Sequence, residues 1–157
     1  MTEQQIKELT LERTFDAPRD LVWKYWTDPQ LVAQWWGPRG FTNPTCEWDA
    51  KPEGNIHIVM LAGDELGSIA GMEAPMIGKF DEVQSPEKLV FTAHAIMNDK
   101  EVLETQSTVT FVEDGDKTRV HVHVVVTKTT PEAAGPLSGM EMGWNQQLDK
   151  LAESLKK

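Results

Sequence analysis

The sequence predicts an α+β fold in which a curved antiparallel sheet of about seven strands wraps around a long C-terminal helix, with two short helices after the first strand. Three observations carry this expectation. From residue 42 onward, short alternating apolar segments are separated by turn residues. The last part of the chain carries one apolar stripe at helical spacing, and two tryptophan-rich helical segments separate the first strand from the others.

Leu9, Leu11 and Phe15 alternate with Thr10, Glu12 and Thr14, the period of two that marks a half-buried strand. Asp16-Ala17-Pro18 stops it. Proline suits a first helical turn, and Leu21, Val22, Tyr25 and Trp26 follow at helical spacing. Thr27-Asp28-Pro29 ends this helix and caps a second, in which Leu31 and Trp35 lie four apart. Gly37-Pro38-Arg39-Gly40 ends the second.

A strand is expected near 43–49, and Lys51-Pro52-Glu53-Gly54 turns it. Ile56, Ile58 and Met60 alternate with Asn55, His57 and Val59 on the next. Residues 62–75, with Gly63, Gly67, Gly71 and Pro75, read as a long flexible loop. Met76, Gly78 and Phe80 share a face, and Ser85-Pro86-Glu87 makes a turn. Leu89, Phe91 and Ala93 follow, then the turn signal Asn98-Asp99-Lys100. Val109 and Phe111 share a face, Glu113-Asp114-Gly115-Asp116 turns, and Val120, Val122, Val124 and Val126 line one side of the last strand. Consecutive strands joined by short turns imply an antiparallel meander.

Two helix starts are open near the end: Thr130-Pro131-Glu132, or Ser138 with Glu141 three residues on as a capping box. Met140, Trp144, Leu148, Leu151 and Leu155 then form a stripe opposite Gln146, Asp149, Lys150 and Glu153. The sheet is the only large apolar surface against which that stripe can bury.

The totals fit one domain spanning 1–157. The 157 residues suffice for a core without metal or disulfide, and 39% are hydrophobic. The single cysteine, Cys46, has no internal partner, the first eight residues lack the apolar run of a signal peptide, and no segment is long enough to span a bilayer. A cytoplasmic location is expected. A formal charge of −10 argues against nucleic acid and against an anionic membrane surface as partners.

The element order and several local strings resemble the START-like, helix-grip superfamily, also called SRPBCC. They resemble most its bacterial homologues of the heat-shock-protein-90 ATPase activator domain. The resembling residues are Phe15-Asp16-Ala17-Pro18, Val22-Trp23, Trp26-Thr27-Asp28-Pro29, Trp35-Trp36-Gly37-Pro38 with Phe41, Pro52 and Gly54. Pro86-Glu87-Lys88-Leu89-Val90-Phe91, Gly143-Trp144 and Leu148-Asp149-Lys150-Leu151 complete the match. Two departures stand out: Glu53 occupies the first place of a usual glycine pair, and the 62–75 loop is unusual in its Met and Gly content, with Met72, Gly63, Gly67 and Gly71. The resemblance implies a hydrophobic cavity for small apolar or aromatic molecules, catalysis in some branches, and chaperone stimulation in eukaryotic relatives. It carries over no catalytic residues, cofactor or metal.

The candidate ligand-binding residues follow from strand alternation and the terminal stripe. Inward strand positions supply Ile56, Ile58, Met60, Met76, Phe80, Phe91, Val109 and Phe111, and the helix supplies Met140, Trp144 and Leu148. Phe41 joins them, and Trp36, beside the Gly37-Pro38 turn, is the tryptophan expected at the mouth. Trp23, Trp26, Trp35, Trp36 and Trp48 crowd into 26 residues, as anchors for the helices or as an aromatic wall. Arg13 shares the register of Leu11 and Phe15. It either faces inward, with Glu82 as a conceivable partner, or reaches water at the strand end, and it is the charged ligand-binding candidate, placed to anchor a polar group of the ligand.

Other constellations read as structural. His121 and His123 alternate with the valines and face solvent, as do His57 and His94; Cys46 reads as a buried thiol. Glu47 and Asp49 share a strand face and could in principle form an acid–base pair. The functional expectation is a carrier or sensor of a small hydrophobic molecule in a cavity between sheet and helix. The alternatives are a cyclase- or hydrolase-like enzyme using that cavity and a chaperone-interaction module.

Overall fold

The structure, a computed structural model, describes residues 8–133, Leu137 and 139–156. Seven strands form one sheet: β1 (Glu8–Phe15), β2 (Phe41–Trp48), β3 (Asn55–Ala62), β4 (Glu73–Gln84), β5 (Lys88–Met97), β6 (Lys100–Asp114) and β7 (Lys117–Thr129). Between β1 and β2 lie helices α1 (Arg19–Thr27) and α2 (Pro29–Trp35); α3 (Met140–Leu155) follows β7. The sheet order is β1-β7-β6-β5-β4-β3-β2, with every neighbouring pair antiparallel.

The local chemistry explains these boundaries. Pro29 opens α2, and the Asp28 carboxylate accepts a hydrogen bond from the Gln30 N–H at 3.0 Å, so one residue ends α1 and caps α2. Asn98 and Asp99, with φ of 51° and 64°, make the two-residue turn between β5 and β6. The sheet bends through register shifts in β2, β4, β5 and β6, each adding local twist. At Gly78 a Cβ would lie 2.1 Å from the Thr92 carbonyl oxygen, so only glycine lets β4 and β5 approach as they do.

Alternation decides which face is buried. Val120, Val122, Val124 and Val126 are all at most 2% exposed, and their partners Leu9 and Leu11 on β1 share that concave face. Leu148 and Leu151 of α3 are fully buried, as are Trp26, Val22, Val32 and Trp35 of α1 and α2. The core therefore lies between the concave face and the three helices.

Two expectations need correction, and the open start of the terminal helix is decided. The 62–75 stretch is a 3-10 turn over Asp64–Ile69, and β4 already begins at Glu73, because Ala74 and Glu73 pair with Met60 and Leu61. β2 begins at Phe41 rather than near 43. Residues 131–133 form a separate 3-10 turn, and α3 starts at Met140. The proposed cap Ser138 lies outside the described residues.

Candidate functional site

The deep part of the concave face holds a chain of touching aromatic rings. Trp48 packs at 5.1 Å from Phe80 and 5.2 Å from Phe91, and Trp36 lies 5.1 Å from Trp48 and 5.7 Å from Trp144. Trp26 stands 4.7 Å from Trp35, edge on, and stacks on Trp144 at 6.4 Å. Trp48 spends its indole N–H on the Trp26 carbonyl, and Trp35 spends its own on the Tyr25 carbonyl. Each ring pair contributes about 0.5–1.5 kcal/mol beyond its burial, so this end is a rigid floor.

Trp36 is thus not at a mouth. It is 5% exposed at the centre of the cluster, and α3 holds it there. The buried Gln147 side chain accepts the Gly37 N–H at 2.7 Å, and Gln146 accepts the Arg39 N–H at 3.0 Å. Lys150 donates to the carbonyls of Trp36, Gly37 and Pro38 at 3.1–3.4 Å, and Arg39 pairs with Glu153. Desolvation, the largest cause, and then the Arg39 charge hold the Lys150 ammonium below its ordinary pKa. The polar side of α3, which periodicity assigns to solvent, is a clasp on the 36–39 loop. Gln147 escaped the sequence reading because a glutamine beside an apolar stripe carries no signal of burial.

Nearer the 3-10 turn the inward side chains are less deeply buried. Met60 and Met76 are half-buried, and the strand pairing Met76↔Ala95↔Leu103 continues an inward row of accessible side chains. Gly78, Ala93 and Thr105 form the next row, all small. Phe41, Met140 and Trp144 are likewise half-buried, and Met60, Met140 and Trp144 pack against the core. By contrast Ile56, Ile58, Phe80, Phe91, Val109, Phe111 and Leu148 are at most 2% exposed and lie beneath this surface. The candidate residues therefore divide into a buried floor and an accessible rim.

Arg13 faces α3 on the concave side rather than ending in water. Its guanidinium meets Asp149 at 2.9 Å and two oxygens of Asn145 at 3.2 Å each. Glu82 is not its partner: it pairs with Lys88 at 3.7 Å, four strands away across the sheet. The four histidines lie on the convex side with glutamates brought from other positions: His121 with Glu12, His123 with Glu8, His94 with Glu101 and Glu104, and His57 with Glu47. Among the described residues no group of three or more metal-ligating side chains converges. Cys46 is half-buried, its thiol directed at the Pro29 carbonyl at 3.6 Å, and desolvation pushes its pKa up to about 11. None of the described helices is long and apolar enough to cross a membrane.

Solved structures share this architecture. The AHSA1 protein of Silicibacter pomeroyi aligns with a TM-score of 0.79 at 24% identity, covering 96% of this chain and 98% of that one. A protein from Nitrosomonas europaea aligns at 0.77 with 24% identity over 95% and 94% of the two chains. One from Chromobacterium violaceum gives 0.76 with 24% identity over 94% and 96%. No curated protein sequence matches this chain. A helix-clasped aromatic floor on a seven-stranded sheet accompanies a family-model match over residues 16–156, and the chain accordingly belongs to the family described as Activator of Hsp90 ATPase homolog 1-like protein.

Proposed function

We propose that this protein is a carrier or sensor that binds a small hydrophobic, aromatic-containing molecule on the less deeply buried part of the concave face. The observation that supports the reading is the half-buried rim of Met60, Met76, Met140, Phe41 and Trp144 beside the row of small residues Gly78, Ala93 and Thr105. Methionine side chains change shape at little cost, so the rim accommodates a ring while the clasped aromatic floor stays fixed. A planar ligand burying about 200 Å² of apolar surface there gains about 5 kcal/mol before the cost of its immobilisation. Thr105 gives one polar group on the inward face to orient it.

The experiment is an NMR titration of methyl-labelled protein with neutral aromatic compounds, starting with 1-naphthol. The methyls of Met60, Met76 and Met140 and the Trp144 indole are expected to shift together and saturate. A panel in which no compound moves them, or in which shifts fall only on the convex face, rejects the proposal.

A second reading, contact with a chaperone, draws on the family description and on two exposed side chains, Met72 at 55% and Met142 at 63%. Its check is co-purification with an Hsp90-type chaperone, lost in Met72→Lys/Met142→Lys protein.

A further inference from the structure

A second concavity lies away from the concave face, where the junction of α1 and α2 meets the end of β2 and the end of β4. It is an open cleft of about 730 Å³, within the range of small-molecule sites. Trp23, Pro29 and Val83 give it apolar walls, and Trp23 is half-buried, packed edge-on against Phe111 at 5.2 Å. One part of that indole is therefore fixed by the core while the rest borders the cleft.

The polar groups of the wall are unequally committed. Three donors are spent inside the protein: the Trp48 indole N–H on the Trp26 carbonyl, the Thr27 hydroxyl on the Trp23 carbonyl at 2.9 Å, and the Cys46 thiol on the Pro29 carbonyl. Acceptors remain, namely the carboxylates of Glu47 and Asp49, with side chains 70% and 55% exposed. Asn55 and Ser85 can accept as well as donate. Among the described residues no lysine, arginine or histidine lines the cleft. The basic side chains near these carboxylates, His57 at 3.8 Å and Lys51 at 3.5 Å, lie outside the wall, and Lys51 is itself 69% exposed, so an incoming cation competes only with weak, exposed contacts.

We infer that this cleft binds a small organic ammonium ion with an apolar body, its charge held by Glu47 and Asp49 and its body laid against Trp23. Acceptors in excess of free donors select a ligand that donates, two carboxylates without a lining base select positive charge, and the Trp23 ring gives apolar contact to the body. A neutral analogue of the same shape loses the charge terms, and an anionic one is repelled.

The test is a titration of isotope-labelled protein with phenethylammonium, 2-phenylethanol and 3-phenylpropionate, followed by backbone and indole NMR shifts. Phenethylammonium is expected to shift Trp23, residues 46–50, Asn55 and Val83. It should bind about tenfold tighter than 2-phenylethanol, and more weakly as salt is added. Glu47→Gln/Asp49→Asn protein, changed only at exposed positions, should lose about tenfold in affinity for the amine and nothing for the alcohol. Trp23→Leu should weaken both. Equal affinity for amine and alcohol, an unchanged double variant, or shifts that map to the Met60–Met76 rim each overturn the assignment. Because the rim and this cleft report through different residues, the outcome is independent of the carrier reading.

Discussion

Replacing Glu53 with glycine is expected to stabilise the protein, and the reason lies in one backbone angle. Glu53 has a φ of 67°, a left-handed conformation that costs a residue with a Cβ about 1–2 kcal/mol. The turn cannot relax out of it. The Glu53 N–H donates to the Phe80 carbonyl at 2.8 Å, and the Phe80 N–H returns a bond to the Gly54 carbonyl at 3.0 Å, stitching the turn to β4. Its neighbour cannot share the strain either, since a Cβ on Gly54 would sit 1.9 Å from the Asp49 carbonyl oxygen. Glycine at 53 removes the strain but adds about 0.5–1 kcal/mol of unfolded-state entropy to be lost. The net expectation is about 0.5–1 kcal/mol of stabilisation, or about 2–3 °C in Tm for a chain of this size. Urea unfolding of wild type, Glu53→Gly and Glu53→Ala measures it, with an unchanged slope showing that only stability moved. Alanine keeps the Cβ and should gain nothing. If the glycine variant is no more stable than wild type, or no better than alanine, the strain argument is wrong.

Four further outcomes follow from the clasp and the thiol. Gln147→Leu strips the acceptor from the Gly37 N–H in a buried setting, and is expected to cost about 1–3 kcal/mol by urea unfolding, with altered tryptophan fluorescence from Trp36. Cys46, with its pKa near 11 against an ordinary 9.0, carries about a hundredth of the thiolate of a free cysteine at pH 8, so native-state alkylation by iodoacetamide should be about a hundredfold slow. Its raised pKa gives stability that is present in full below pH 9 and lost as pH rises through about 11. Being half-exposed, the group is worth about 1 kcal/mol, seen by comparison with Cys46→Ser. Lys150 has the opposite sign: its folded pKa is depressed, so just below 10.5 the unfolded chain binds more protons and stability rises with pH. Lys150→Met should abolish that rise.

Apolar alternation together with proline, glycine and Asx turn signals was enough to place the seven strands, the α1–α2 pair and the stripe of α3, though not the starts of β2 and β4, because each rests on local chemistry. Side chains that act across long sequence separations were not legible. For Arg13 the register left an inward and a water-reaching position open, because its partner Asp149 lies 136 positions away, on a helix face that the pattern assigned to water. Trp36 was misplaced for the same reason, since Gln147 and Lys150 turn it inward from 111 and 114 residues downstream. The departure at Glu53 was legible as an oddity; only the φ angle shows what it costs.

The clasp also orders events in time. Every strand precedes α3 along the chain, so during synthesis or refolding the tryptophans of α1 and α2 and the hollow of the sheet exist before the side chains that fasten them. Bonds closing loops of more than 100 residues form late and slowly. Until Gln147 and Lys150 arrive, an unfastened 36–39 segment leaves greasy rings facing solvent, and that half-finished species is where self-association would compete with completion.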